Sequence, residues 1–492
     1  MKNVDQKLRE EFGNLNSSSI INHALKYIKV AEINESLTSY WKYLIMIQFA
    51  LQFSSNSKLL PSAKESNIKR LLRLISQIED EYILKNFGFK DSVSTRKTMS
   101  IFSNQQFWLY QSWPDYDLAR NLILFVDLAD KEDKFDGEFR KITQLSIINF
   151  IHLSFWIHLG LSTDVGPSQT RTITKKEQLL LSALTSPHDA ESFIDALTLT
   201  VEQPKGKRLS DFIPLKSPYL QPFDIRHWVM KPLLRHEDAI HLISRKIYNQ
   251  TIKYYIYECL KHEPIFQSRF SSTRLEKYIE LGLREATIQF VDEKSLNKSI
   301  ARKSKVIDFL VEDSILIECK ATELSIRASV EPIDEKLYGS TKTTIAKAYS
   351  QFYEFGELLN RDNLFAVIVT FKPMYLGNGE DVALEMMKDF VSGLRQEQVE
   401  RLPPGNIFIL SLDEWDMLVQ LAIQKALPIR EVLERVKYNQ AIQRNSFIGH
   451  LDIIRGNDEF IPFKFLQERY ADFYAEISSP RFREKVGNFR PT

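Results

Sequence analysis

The stretch SKVIDFLVEDSILIECKA, residues 304–321, decides how this chain reads. Its Val, Ile, Leu and Phe predict two short buried strands that turn back on each other through Glu312, Asp313 and Ser314. Side chains alternate along a strand, so Ile315, Ile317, Cys319 and Ala321 share one face, and Leu316, Glu318 and Lys320 share the other. An antiparallel return places Asp308 close to Glu318 and Lys320. Two carboxylates and an ammonium in an apolar sheet are costly unless paired. A divalent cation offsets that cost. Hard oxygen ligands completed by water suit Mg²⁺ or Mn²⁺. Such an ion acidifies water and stabilises charge on a phosphoryl oxygen, while Lys320 is placed to steady or deprotonate the attacking water, or to neutralise the phosphate.

The spacing alone is a weak signal. Acid, any residue, lysine occurs at Asp5–Lys7, Glu132–Lys134, Asp292–Lys294, Glu318–Lys320 and Asp334–Lys336. Four of these lie in polar surroundings and read as solvated faces. Only Glu318–Lys320 lies in an apolar strand with an aspartate on the strand before it.

Outward from this hairpin the pattern is regular. A helix (TRLEKYIELGLREA) and a strand (TIQFVD) precede it, joined to it by a basic loop (KSLNKSIARKSK). A helix (TKTTIAKAYSQFYEFGELL), a strand (LFAVIVTFK), a helix (DVALEMMKDFVSGLRQ), a strand (NIFILSL) and a helix (DEWDMLVQLAIQKAL) follow. This is the order of an α/β core, a mixed β-sheet flanked by helices. Residues 1–200 carry helical spacing throughout and predict an all-α region. Residues 201–235 predict a linker or irregular segment, with four prolines and a glycine between 202 and 222. The α/β segment is expected over 236–429 and a helical tail over 430–492.

Composition excludes several classes. With 492 residues, 43% hydrophobic and 26% charged, the chain is an ordinary multidomain globular protein. Cys259 and Cys319 are its only cysteines, too few for a disulfide framework or a Cys-rich zinc site. A cytoplasmic setting is expected, since the N-terminus has no apolar signal region. No apolar run reaches the ~20 residues of a membrane helix, so no membrane partner is expected. The net charge of +1 gives no global field, and any polyanion must meet a local patch. His236 and His241 are five apart, out of phase for a helical zinc pair, and His152 and His158 read as core histidines.

These residues resemble the PD-(D/E)xK nuclease superfamily, which has a restriction-endonuclease-like fold, over roughly residues 240–425. Asp308 matches the strand acid, with Ile307 where the nominal proline stands. Glu318, Cys319 and Lys320 match Glu-x-Lys. Glu276 is the best match for the upstream helix glutamate, with Glu280 and Glu285 as rivals. Gln351 matches the downstream accessory residue. The resemblance implies Mg²⁺- or Mn²⁺-dependent hydrolysis of phosphodiester bonds, most often in DNA. Asp308, Glu318 and the Cys319 carbonyl would be metal ligands. Lys320 would act on water, Glu276 would hold a metal-bound water or second ion, and Gln351 would orient Lys320 or a phosphate. Lys294, Lys298, Arg302, Lys303 and Lys305 form a basic run with no acid among them, suited to gripping a phosphate backbone. By analogy, the helical N-terminal region recognises a partner, clamps nucleic acid or restrains the nuclease, as in restriction or anti-phage defence. Cutting both strands from one site calls for a homodimer. An RNA-cleaving enzyme and a catalytically inactive nucleic-acid-binding or scaffold protein on the same core are the rival readings.

Overall fold

The aliphatic run Ile315–Lys320 is extended and central in a five-stranded sheet, where a strand buried on both faces belongs. A computed structural model describes residues 2–33, 40–88, 92–106, 112–130, 134–162, 172–200, 217, 219–299, 306–442 and 446–477. Helices dominate these residues, with two small mixed sheets. The described residues divide into two compact units. One draws on Met1–Leu122, Lys134–His262 and Asp472–Thr492, the other on Ile123–Asp133 and Glu263–Ala471.

The first unit is not all-α. Thr172–Ile173 (β1), Thr198–Thr200 (β2), Leu233–His236 (β3) and Ala239–Leu242 (β4) form a sheet in the order β1-β4-β3-β2. The helix Pro187–Leu197 starts on a Ser186 cap and gives way to Thr-Leu-Thr, which pairs in parallel with β3. Helical spacing and strand pairing compete there, and the β-branched threonines go to the sheet. The expected linker is also corrected in its described part. Phe223, Ile225, Trp228 and Val229 are buried, and Gln221 accepts from Gln48 at 2.8 Å. Residues 201–216 and 218 lie outside the described residues. The unit includes the helix Arg245–Leu260, so the second unit's main segment starts at Glu263 rather than 236.

In the second unit, the helix Glu276–Glu285 (α1) leads to Phe290–Asp292 (β5) and the helix Glu293–Ser299 (α2). Phe309–Val311 (β6) and Ile315–Lys320 (β7) form the hairpin. The helix Ile345–Leu359 (α3), Phe365–Thr370 (β8), Ile407–Ser411 (β9) and the helix Leu412–Lys425 (α4) follow. The order is β5-β6-β7-β8-β9, antiparallel from β5 to β7 and parallel from β7 to β9. The span 381–396, expected as one helix, falls within three short pieces, Gly379–Glu385, Lys388–Ser392 and Gln396–Arg401.

Leu310, Leu316, Ala366, Ile368 and Ile407 pack from the sheet against Ala348, Tyr349, Phe352 and Phe355 of α3. Helix α4 lies against β8 and β9, and joins α1 through Tyr278 Oη, which donates to Asp416 at 2.7 Å. Gly379 sits where two backbones touch. A Cβ there would lie 2.2 Å from the carbonyl oxygens of both Ile407 and Pro404. Gly379→Ala is therefore expected to destabilise the second unit by about 1–3 kcal/mol, the usual cost of forcing atoms into a packed contact. Urea unfolding followed by tryptophan fluorescence measures this, and an unchanged midpoint would refute the close approach.

Candidate active site

The hairpin that carries the site turns on Glu312 and Asp313, both left-handed (φ 48° and 54°), the geometry that matches strand twist. Neither residue is glycine, so the turn needs support. Glu312 supplies it by accepting the N–H groups of Ile429 (2.8 Å) and Arg430 (3.0 Å), which caps the following helix. Arg361 donates to the Asp313 carbonyl at 2.7 Å. The pairing Phe309↔Ile317 and Leu310↔Leu316 follows, and Asp308, just before it, donates its N–H to the Ile317 carbonyl at 3.1 Å.

Asp308 lies just before β6, where its Oδ2 accepts the Cys319 N–H at 2.6 Å. Glu318 is wholly buried and paired with Lys320, whose side chain is partly exposed. Gln351, on α3 and 8% exposed, donates to Glu318 Oε1 at 2.9 Å, while its own Oε1 is buried without a partner. The structure thus brings Asp308, Glu318, Lys320 and Gln351 together.

The three candidates for the upstream acid differ in their surroundings. A π-helical turn, Ser271–Leu275, leads into α1, and Ser271 Oγ donates to the Cys319 carbonyl at 2.5 Å. That contact holds the start of α1 against β7, and Glu276 is the first residue of the helix. Of its rivals, Glu280 is held by Arg284 at 2.9 Å and Glu285 caps the N–H groups of Lys464 and Phe465 at 2.5 and 2.9 Å. Of the three, Glu276 makes neither kind of contact and lies within electrostatic reach of Asp308 and Lys320.

The electrostatics report one crowded cluster. Burial, reinforced by Asp308 and Glu293, pushes Glu276 up to about 9. Burial and Asp308 push Glu318 up to about 8, outweighing the ammonium beside it. Burial also raises Asp308, against the pull of Lys320 and the Cys319 N–H. Burial works against the Lys320 ammonium, but Glu318 and Asp308 prevail and hold its pKa above the usual lysine value. Lys320 is therefore a fixed cation, suited to donating hydrogen bonds and balancing charge rather than to taking a proton. The Cys319 thiol is buried and held far above its ordinary value, so it is no nucleophile.

Lys294 and Lys298 are exposed, but on α2 rather than in a loop. The acid Asp292 accepts the Ser295 N–H at 2.9 Å, which helps that helix start. Arg302, Lys303 and Lys305 lie outside the described residues. Sequence reasoning missed Glu293, whose N–H donates to the Asp308 carbonyl at 2.9 Å. Its only signal was its place at the end of the strand TIQFVD, next to the basic run. Among the described residues, no three His, Cys, Asp or Glu side chains are arranged to hold an ion by themselves. Nor is any single helix there long and apolar enough to cross a membrane. No family model, curated protein or solved structure matches this chain.

A carboxyl raised by burial makes folding take up a proton. The folded chain holds a proton that the unfolded chain releases above about 4.5, so stability is fullest below that pH and falls as pH rises through about 8 to 9. In chelator, the melting temperature is expected to be lower near pH 9 than near pH 6, and Glu318→Gln should flatten the slope. A slope unchanged by the substitution would contradict the assignment.

Proposed function

We propose that this chain is a metal-dependent nuclease that hydrolyses phosphodiester bonds, with DNA as its substrate class, on a restriction-endonuclease-like core. One observation carries the reading: Asp308, Glu318 and Lys320 meet at one place on the β6–β7 hairpin, with Gln351 bonded to the same glutamate. The order α1, β5, α2, the β6–β7 hairpin, α3 and β8, with the five strands in one mixed sheet, supports it.

The residues fit a hard divalent cation. Asp308 and Glu318 offer carboxylate oxygens, and the Cys319 carbonyl keeps a second lone pair beyond the one Ser271 uses. Crowding of raised carboxyls is the electrostatic state that a cation relieves. Bound Mg²⁺ or Mn²⁺ would acidify water and stabilise the charge that builds on the phosphoryl oxygens.

The chain's own groups do the rest. Lys320, held cationic, donates to the attacking water or to a non-bridging phosphate oxygen. Gln351 fixes the orientation of Glu318. Glu276 accepts from water at the site when ionised. The exposed Lys294 and Lys298 suit phosphate contacts along a strand, which position a duplex without reading its sequence. A second, mostly helical unit in the same chain suits restriction or anti-phage defence, where cutting has to be gated.

Supercoiled plasmid is expected to be nicked or linearised with Mg²⁺ or Mn²⁺ and untouched in chelator. Lys320→Ala and Asp308→Asn should each lower the rate by about 10²–10³, the scale of removing one group that stabilises transition-state charge. Structured RNA run in parallel decides the substrate class. Full activity in both folded variants would place the chemistry elsewhere.

A further inference from the structure

Sheet register joins a fourth carboxylate to this site. Extending the β5–β6 pairing one step past Asp292↔Phe309 sets Glu293 opposite Asp308, and the Glu293 N–H bond to the Asp308 carbonyl confirms that step. Residues opposite one another on adjacent strands share a face, and adjacent strands lie about 4.8 Å apart. Glu293 and Asp308 are therefore neighbours on one face. On its other side Asp308 is tied to β7 at the two residues that flank Glu318: its N–H donates to the Ile317 carbonyl at 3.1 Å, and its Oδ2 accepts the Cys319 N–H at 2.6 Å. Glu318 is wholly buried and Glu293 is exposed.

Glu293 is exposed at the start of α2, beside Asp308. Its carboxylate has no hydrogen-bond or ion-pair partner among the described residues. An acid in the first turn of a helix favours the helix dipole, which accounts for a glutamate at the start of α2. It does not account for its position opposite Asp308. A second feature points to a ligand. Gln351 Oε1, nine-tenths buried beside Glu318, is an acceptor without a donor. Carboxylates with an unsatisfied amide oxygen beside one of them call for something that is both cationic and rich in hydrogen-bond donors.

We propose that Glu293 holds the water shell of a divalent cation at this site, as an outer-sphere carboxylate on the solvent side of Asp308. The inference rests on the metal-dependent reading above. Among the described residues no third His, Cys, Asp or Glu is in place to bind the bare ion, and Mg²⁺ keeps several of its waters when only one or two carboxylates hold it. Glu293 and Gln351 Oε1 then accept hydrogen bonds from coordinated waters, while Asp308 and Glu318 bind the metal. The exposed position of Glu293 gives a hydrated ion its first contact as it enters.

Calorimetric titration of the full chain tests this with two probes. Mn²⁺ reports the whole site, and hexaamminecobalt(III), whose ligands do not exchange, reports only outer-sphere contacts. Glu293→Gln should weaken hexaamminecobalt(III) binding about tenfold or more, the lower end of what outer-shell partners contribute. Glu293→Asp, which keeps the charge, should recover most of the loss. Glu280→Gln, which removes an acid already held by Arg284, should leave binding as in the parent chain. If Mn²⁺ binds and Asp308→Asn abolishes it, yet Glu293→Gln leaves both probes unchanged, the role given to Glu293 falls and the nuclease reading stands. If the parent chain binds no Mn²⁺, both fall. If Glu293→Gln and Glu280→Gln weaken the cobalt complex equally, the effect is net charge alone and the assignment is overturned.

Discussion

The site depends on the register of β7. Paired antiparallel with β6 and parallel with β8, this strand has no freedom to slide, because a slip of one residue would exchange its two faces. Leu316 would leave the core under α3, and Glu318 and Lys320 would be driven among the side chains of the other face. The aliphatic residues that make β7 a buried strand are therefore what hold two ionisable groups at fixed positions. Asp308 follows from the same constraint, since the Glu312–Asp313 turn sets where β6 begins.

That constraint carries an electrostatic cost that the protein offsets only in part. Lys320 answers one of the carboxyls. The Cys319 N–H answers part of Asp308, and Gln351 part of Glu318. The remainder shows as carboxyls raised toward neutrality rather than as ion pairs, the response expected when charge is buried beyond what partners can neutralise. A fold that sought stability alone would place apolar side chains here, since a buried ion pair rarely outperforms well-packed hydrophobic residues. Groups retained at such a cost are candidates for function, and their position at an end of the sheet, with Lys320 partly exposed, leaves them open to solvent on one side.

Much of this was legible in the sequence because two periodicities collide there. Alternation placed Glu318 and Lys320 on one face, and an apolar strand made their charge anomalous. Gln351 was picked out by the resemblance alone, since a polar residue on an amphipathic helix has an ordinary reading of its own. Other features were not. Glu276 could be separated from Glu280 and Glu285 only by seeing Arg284 and the capped Lys464 and Phe465 take up the rivals. Glu293 was invisible because its meaning comes from the β5–β6 register, and periodicity within one segment says nothing about what stands opposite it. The strands β1 and β2 were lost for a similar reason. Each is two or three residues long and exists because β3 and β4 offer edges to pair with. The Glu-Asp dipeptide turns both hairpins, at Glu237–Asp238 and Glu312–Asp313, with left-handed residues in each. Propensity favours Asn-Gly or Asp-Gly for such turns, so here the pairing of the strands overrides the local preference.

Fold and site also share one bond. In a regular ladder the Cys319 N–H would donate to a backbone carbonyl of the strand beside it. Here it donates to the Asp308 carboxylate, at the point where β6 has not yet begun. Asp308 thus ties β7 to the start of the hairpin and supplies a charged group to the site through the same side chain, with Oδ2 turned to the backbone. Removing the whole carboxyl would leave a buried N–H unpaired and loosen the strand that carries Glu318, so a loss of activity would have two explanations. Asparagine keeps an acceptor for that N–H while removing the charge. The difference between the two substitutions separates what Asp308 does for the sheet from what it does for chemistry.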